Sequence, residues 1–109
     1  MIQSEYALSY NVKKAVIDIL ESIREYDTIT QMNKFVSWFN KLINQKGRVT
    51  MVEICDKLGI DSIEAFSRVG FNSEIEEDDI YEFFRTDGSK FYRILFPVLR
   101  DFTIKERLK

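Results

Sequence analysis

Residue types that carry enzyme chemistry are scarce or missing in this chain of 109 residues. It has no histidine, which removes Ser-His-Asp and Cys-His nucleophile systems, histidine-ligated zinc and the usual general base near neutral pH. Its single cysteine, Cys55, can form neither an intrachain disulfide nor a thiolate metal site, and it is expected to be a small buried hydrophobe. We therefore expect no enzyme, no cofactor and no metal site.

Long apolar runs are missing as well. No uncharged apolar run approaches the ~20 residues that span a bilayer, and the N-terminal stretch MIQSEYALSY has neither region of a signal peptide. The composition, with 45% hydrophobic residues and nine Phe, is that of a globular protein. We expect a single domain over residues 1–109 that lies in the cytoplasm and does not associate with membranes.

Two long stretches place apolar residues at helical spacing. The first covers roughly residues 6–26, and the second follows a cap at Thr28 or Thr30 and ends at Gly47. Together they carry more apolar residues than a three-helix core of this size needs. We therefore expect a homodimer built on one or both of them, with Trp38 in the core or at the dimer interface.

Two helix-start signals follow each other in the middle of the chain. Thr50-Met-Val-Glu53 is a capping-box pattern, and the helix that it starts is predicted to end at Gly59. Asp61-Ser-Ile-Glu64 is a second signal of the same kind, and it predicts a short helix closed by Gly70. Two short helices joined by Leu58-Gly59-Ile60 are typical of a helix-turn-helix.

The stretch VTMVEICDKLGIDSIEAFSRVG, residues 49–70, resembles the helix-turn-helix of winged-helix regulators. The resemblance implies a small DNA-binding regulatory protein whose second helix enters the major groove of duplex DNA. In that arrangement Ser62, Ser67 and Arg68 would point outward from the second helix. The implied fold is mainly α, a helix-turn-helix core with a C-terminal β-hairpin.

The hairpin itself is predicted from IYEFFRTDGSKFYRILF, residues 80–96, where Asp87-Gly88 lies between two aromatic-rich runs. A two-residue type I′ turn would set Phe84 opposite Phe91 and Phe83 opposite Tyr92. Such a hairpin after a helix-turn-helix is similar to a wing.

The alternative is an all-α bundle in which this region forms two helices. Pro97 would then lie inside a helix, at a cost of about 3 kcal/mol. At the first position of a final helix Pro97 costs little, which favours the hairpin.

Charge is segregated along the sequence. Residues 61–79 carry seven acidic residues against one basic residue, whereas residues 84–109 carry seven basic residues against three acidic ones. A solvated acidic loop and a basic tail would be an ordinary explanation.

Two function hypotheses remain beside that of a structural subunit without a ligand. Duplex DNA would be bound by Ser62, Ser67, Arg68, Arg85 and Lys90, with the last two on the phosphate backbone. Alternatively, a protein partner would be bound and modulated through an acidic surface formed by Glu74, Glu76, Glu77, Asp78 and Asp79.

Overall fold

The computed structural model describes residues 10–102, which form three α-helices, two short 3-10 helices and six strands. The α-helices are α1, Tyr10–Ile23; α2, Ile29–Lys46; and α3, Met51–Leu58. The strands are β1, Glu25–Tyr26; β2, Val49–Thr50; β3, Val69–Phe71; β4, Ile80–Phe84; β5, Lys90–Ile94; and β6, Arg100–Asp101. The 3-10 helices are Glu64–Arg68 and Glu77–Asp79.

The strands form two antiparallel sheets of three strands each, which corrects the expected fold class. The first sheet has the order β1-β5-β4, and the second has the order β2-β3-β6. The fold is therefore a mixture of α and β structure, and the predictions of a mainly α fold and of an all-α bundle were both wrong. Four of the six strands have only two or three residues, too few for the alternating pattern of a strand to be read from sequence.

Of the two short helices predicted in the middle of the chain, the first is confirmed, and the second is shorter than expected and of the 3-10 type. In α3 the Thr50 hydroxyl accepts from the Glu53 N–H at 3.2 Å, and the Glu53 carboxylate accepts from the Thr50 N–H at 2.9 Å. Gly59 ends the helix in the left-handed region at φ 73°. The expected second helix is a five-residue 3-10 helix, preceded by Ile63 in extended backbone without a side-chain cap.

Gly70 does not close a helix, because it lies in the middle of β3 and pairs with Thr50. A Cβ atom at this position would lie 1.9 Å from the backbone oxygen of Val49. Glycine is therefore required by the close approach of β2 and β3.

The hairpin is confirmed, but its predicted turn and register are wrong. Phe83 pairs with Phe91 and Phe84 with Lys90, one residue away from the expected pairing. A type I′ turn needs positive φ at both central residues, yet among the described residues only glycines, Gly88 included, have positive φ. The Gly88 N–H donates to the Arg85 carbonyl at 2.9 Å and the Arg85 N–H to the Ser89 carbonyl at 2.8 Å, so the loop has three residues.

The structure also differs from the predictions for the first helix and for the final helix. Helix α1 ends at Ile23 because the next residues, Glu25–Tyr26, pair with β5 instead of continuing the helix; residues 6–9 lie outside the described residues. The final helix expected from Pro97 is not formed up to residue 102, where β6 pairs with β3 instead.

An aromatic cluster joins α2 to both halves of the chain. Phe35, Phe39, Phe71 and Phe96 contact one another with ring centroids 5.6–6.2 Å apart. Cys55 is fully buried, as expected, and burial raises the pKa of its thiol. No polar or charged residue among those described is fully buried, so apolar side chains make up the core.

Candidate functional site

The first sheet has one face on the core and one face in solvent. Side chains alternate between the faces of a strand, and Tyr26, Ile80, Tyr92 and Ile94 point inward, where Ile94 is 2% exposed. The outer face therefore carries five side chains from the hairpin: Tyr81, Phe83, Arg85, Phe91 and Arg93. We call these five residues the outer face.

Aromatic rings dominate the outer face. Phe83 and Phe91 lie opposite each other and stack with centroids 5.2 Å apart and an interplanar angle of 20°. Tyr81 is 45% exposed and Phe83 38% exposed. An aromatic cluster left in solvent on a sheet face is a feature of binding surfaces.

The two outer-face arginines lie over these rings, and each forms an ion pair with an acidic residue in β1 or directly after it. The Arg85 guanidinium lies 4.9 Å from the Phe91 centroid and donates to Asp27 at 2.6 Å. The Arg93 guanidinium lies 5.1 Å from the Phe83 centroid and donates to Glu25. Cation–π contacts and ion pairs both restrict these side chains, and the acids offset their charge.

Arg85 and Lys90, predicted to contact the phosphate backbone, both lie at the hairpin tip, but their side chains point to opposite faces of the sheet. Lys90 lies on the face opposite Arg85, 3.4 Å from the Glu82 carboxylate, with its ammonium 5.7 Å from the Phe84 centroid. Both cations of the predicted wing tip therefore have an acidic partner within the chain.

Ser62, Ser67 and Arg68 lie elsewhere, in the loop and the 3-10 helix that lead into the second sheet. The Ser67 hydroxyl donates to the Glu64 carbonyl at 2.9 Å, and all three residues are exposed. Without an α-helix at this point, these side chains do not form the helix face that a major-groove contact was expected to use.

The acidic residues Glu74, Glu76, Glu77, Asp78 and Asp79 lead directly into β4. Glu76 and Asp79 bond each other's backbone across the 3-10 helix, whereas Glu77 and Asp78 are exposed. Ile75, buried within this segment, is held by Asn40 of α2 through two hydrogen bonds of 2.8 and 2.9 Å. The acidic segment is therefore fixed to α2 directly before β4 begins.

Strand β4 is an edge strand of the first sheet. In the order β1-β5-β4 it pairs only with β5 among the described residues. The Arg85 N–H donates to the Ser89 carbonyl, so the backbone groups of Arg85 face β5. In an antiparallel pair every second residue faces the partner strand, and the backbone groups of Glu82 and Phe84 therefore point to the open side of β4. An open edge of this kind can pair with an extended segment of another chain.

Sequence reasoning missed Tyr81, Phe83, Phe91 and Arg93 as site residues. The two aromatic runs were visible in the sequence. Only the correct register of β4 and β5, however, shows that these four side chains share one face of the sheet.

No family model, curated protein or solved structure matches this chain at a significant level.

Within residues 10–102, none of the helices combines the length and the apolar character needed to cross a bilayer.

Proposed function

We propose that this protein is an interaction module that binds a partner protein through the outer face and the adjoining edge of β4. The observation that carries the proposal is the stacked Phe83–Phe91 pair, in which Phe83 is exposed and Phe91 half-buried, beside the exposed Tyr81 on a sheet with an open edge. Tyr, Phe and Arg are enriched in protein interfaces, and Tyr and Arg are frequent among the residues that dominate binding energy.

The charge state of the outer face favours a protein over a nucleic acid. Affinity for nucleic acid comes largely from cations that neutralise phosphates. Here Arg85 and Arg93 are each offset by a carboxylate, and the whole chain has a formal net charge of −2. A neutral aromatic surface of this kind is suited to apolar and aromatic groups of a protein.

The acidic segment 74–79 adds a second, charged part to this surface. It enters β4 directly, so a partner that pairs with the edge of β4 would also approach Glu77 and Asp78. Basic groups on the partner would be attracted there and would increase the association rate. We place this interaction in the cytoplasm, which is supported by the single, buried and unpaired cysteine.

Duplex DNA binding and homodimerisation stay predictions. The resemblance to winged-helix regulators still motivates the first, but its strongest structural support, a second helix carrying Arg68, is lost. For the second, Trp38 is half-buried against Phe35, while Tyr10 and Ile17 of α1 remain exposed at 76% and 46%.

A photo-crosslinking experiment tests the proposal. A benzophenone amino acid replaces Phe83 on the outer face and, as a matched control, Asn33 on the exposed side of α2, in cells that naturally carry the protein. We expect one protein to crosslink at position 83 and not at position 33, and Tyr81→Ser to abolish that adduct.

The same purified protein is titrated with a labelled DNA duplex at low salt. Binding that is lost in Arg85→Ala and Lys90→Ala, together with no protein adduct at position 83, would contradict the proposal and favour the DNA hypothesis.

A further inference from the structure

A cleft of about 330 Å³ opens at the base of the outer face. Two aromatic rings, Tyr81 and Phe83, and the exposed side chain of Leu95 form its apolar walls. Two arginines, Arg24 and Arg93, also line it. The cleft therefore combines apolar side chains with two basic residues.

Arg24 is the unpaired cation of this cleft. Its carbonyl accepts from the Ile94 N–H at 2.8 Å, which holds its backbone beside the end of β5. Its guanidinium, by contrast, has neither an ion pair nor a hydrogen bond within residues 10–102, although the residue is half-buried. An arginine without an ion pair can bind an incoming carboxylate through charge-assisted hydrogen bonds.

Arg93 has unused hydrogen-bonding capacity. A guanidinium has five N–H donors, and here one of them bonds Glu25 while Nε has no acceptor. Because Glu25 offsets the charge of Arg93, the cleft carries a surplus of a single positive charge, on Arg24. One carboxylate complements that surplus.

We propose that this cleft binds an acidic side chain of the partner protein, in an extended segment that has an apolar residue two positions away. In extended chains residues i and i+2 point to the same side, so the carboxylate can meet Arg24 while the apolar side chain contacts Tyr81, Phe83 and Leu95. This inference rests on the proposed function and specifies the chemistry of the partner at that surface.

The test uses three blocked tripeptides and nuclear magnetic resonance of the whole chain. Acetyl-Glu-Ala-Phe-amide carries the acidic side chain, acetyl-Gln-Ala-Phe-amide is its neutral counterpart, and acetyl-Gln-Ala-Phe with a free carboxyl end carries only a terminal carboxylate. Shifts of the amide signals of residues 24, 81, 83 and 95 report binding in the cleft.

We expect the glutamate peptide to bind about tenfold more tightly than the glutamine amide, as a charge-assisted hydrogen bond to an arginine provides. Arg24→Gln should remove that difference, and Arg68→Gln, at an exposed arginine outside the cleft, should leave it unchanged. An unchanged thermal unfolding midpoint checks that Arg24→Gln still folds.

Three results would overturn the inference. Equal binding of the glutamate and glutamine amides would show that the cleft does not recognise charge. Binding of the free-acid peptide alone would assign the cleft to a chain terminus, and cleft signals that move on dilution of the free protein would assign it to a second copy. Each result is independent of the crosslinking at position 83, so the failure of this inference and that of the proposed function can be told apart.

Discussion

Replacing Asn40 by Ala should release the acidic segment from α2 and destabilise the whole domain. The Asn40 side chain donates to the Ile75 carbonyl at 2.9 Å and accepts from the Ile75 N–H at 2.8 Å. It thereby satisfies both backbone groups of a residue that is 3% exposed.

The magnitude follows from the two groups that lose their partner. A buried donor or acceptor left unsatisfied costs about 1–3 kcal/mol. Two such groups, partly reached by water at this half-buried site, should lower the free energy of unfolding by about 2–4 kcal/mol. That is a large share of the 5–15 kcal/mol typical of a domain, and it should lower the midpoint of thermal unfolding by about 10 °C or more.

Urea unfolding followed by the fluorescence of the single tryptophan, Trp38, measures this change. Asn44→Ala is the matched control, because Asn44 lies one turn further along α2, is exposed, and undergoes the same gain in helix propensity. Hydrogen exchange at the Ile75 amide should accelerate in Asn40→Ala only. A difference from the control of less than about 0.5 kcal/mol would refute the reasoning, since surface substitutions fall in that range.

Three further predictions concern the fold. Gly70→Ala should destabilise the domain by at least about 3 kcal/mol in urea unfolding, because its Cβ would lie 1.9 Å from a backbone oxygen of β2; Gly47→Ala, at φ 84° in open space, should cost only about 1–2 kcal/mol. Burial acts to raise the pKa of the Glu53 carboxyl, but hydrogen bonds from the Lys46 ammonium and the Thr50 backbone N–H hold this pKa below its ordinary value of 4.5. The stability that Glu53 contributes is therefore complete above about pH 4.5 and is lost as the pH falls through the lowered folded pKa, and Glu53→Gln should flatten that part of the stability–pH curve. The buried thiol of Cys55 should react with a disulfide reagent only at the rate of unfolding, and rapid labelling of the folded protein would contradict its placement.

The cap signals of α3 were read correctly from the sequence, whereas the long-range strand pairings were not predicted. The caps of α3 at Thr50 and Gly59 depend on residues within one turn, so the pattern predicted them. Strand β2 instead pairs with Phe71 and Gly70, some twenty residues away, and neither partner has a local signature. The Asp61–Glu64 signal was wrong because Ile63 has extended backbone, which allowed the chain to enter β3 directly after one 3-10 turn.

The candidate site was predictable only in part for the same reason. Placing Arg85 and Lys90 at a hairpin tip required no more than the Asp-Gly pair between two aromatic runs. The ion pairs that offset the charges of the two arginines could not be predicted from the sequence. The partner of Arg85, Asp27, lies 58 residues earlier in the chain, and the partner of Arg93, Glu25, lies 68 residues earlier. Only the pairing of β1 with β5 brings these charges together.

One loop residue therefore decides which side chains share a face of the hairpin. In a two-residue loop Phe83 would lie opposite Tyr92 and Glu82 opposite Arg93, so the two arginines would point to opposite faces. The three-residue loop ending at Gly88 instead aligns Phe83 with Phe91, which places both arginines beside the stacked rings. Because β1 then supplies a carboxylate for each arginine, the hairpin presents a rigid aromatic surface with little net charge. We propose that such a surface discriminates between partners by shape and by apolar contact, and that Arg24 adds a single point of charge recognition at its base.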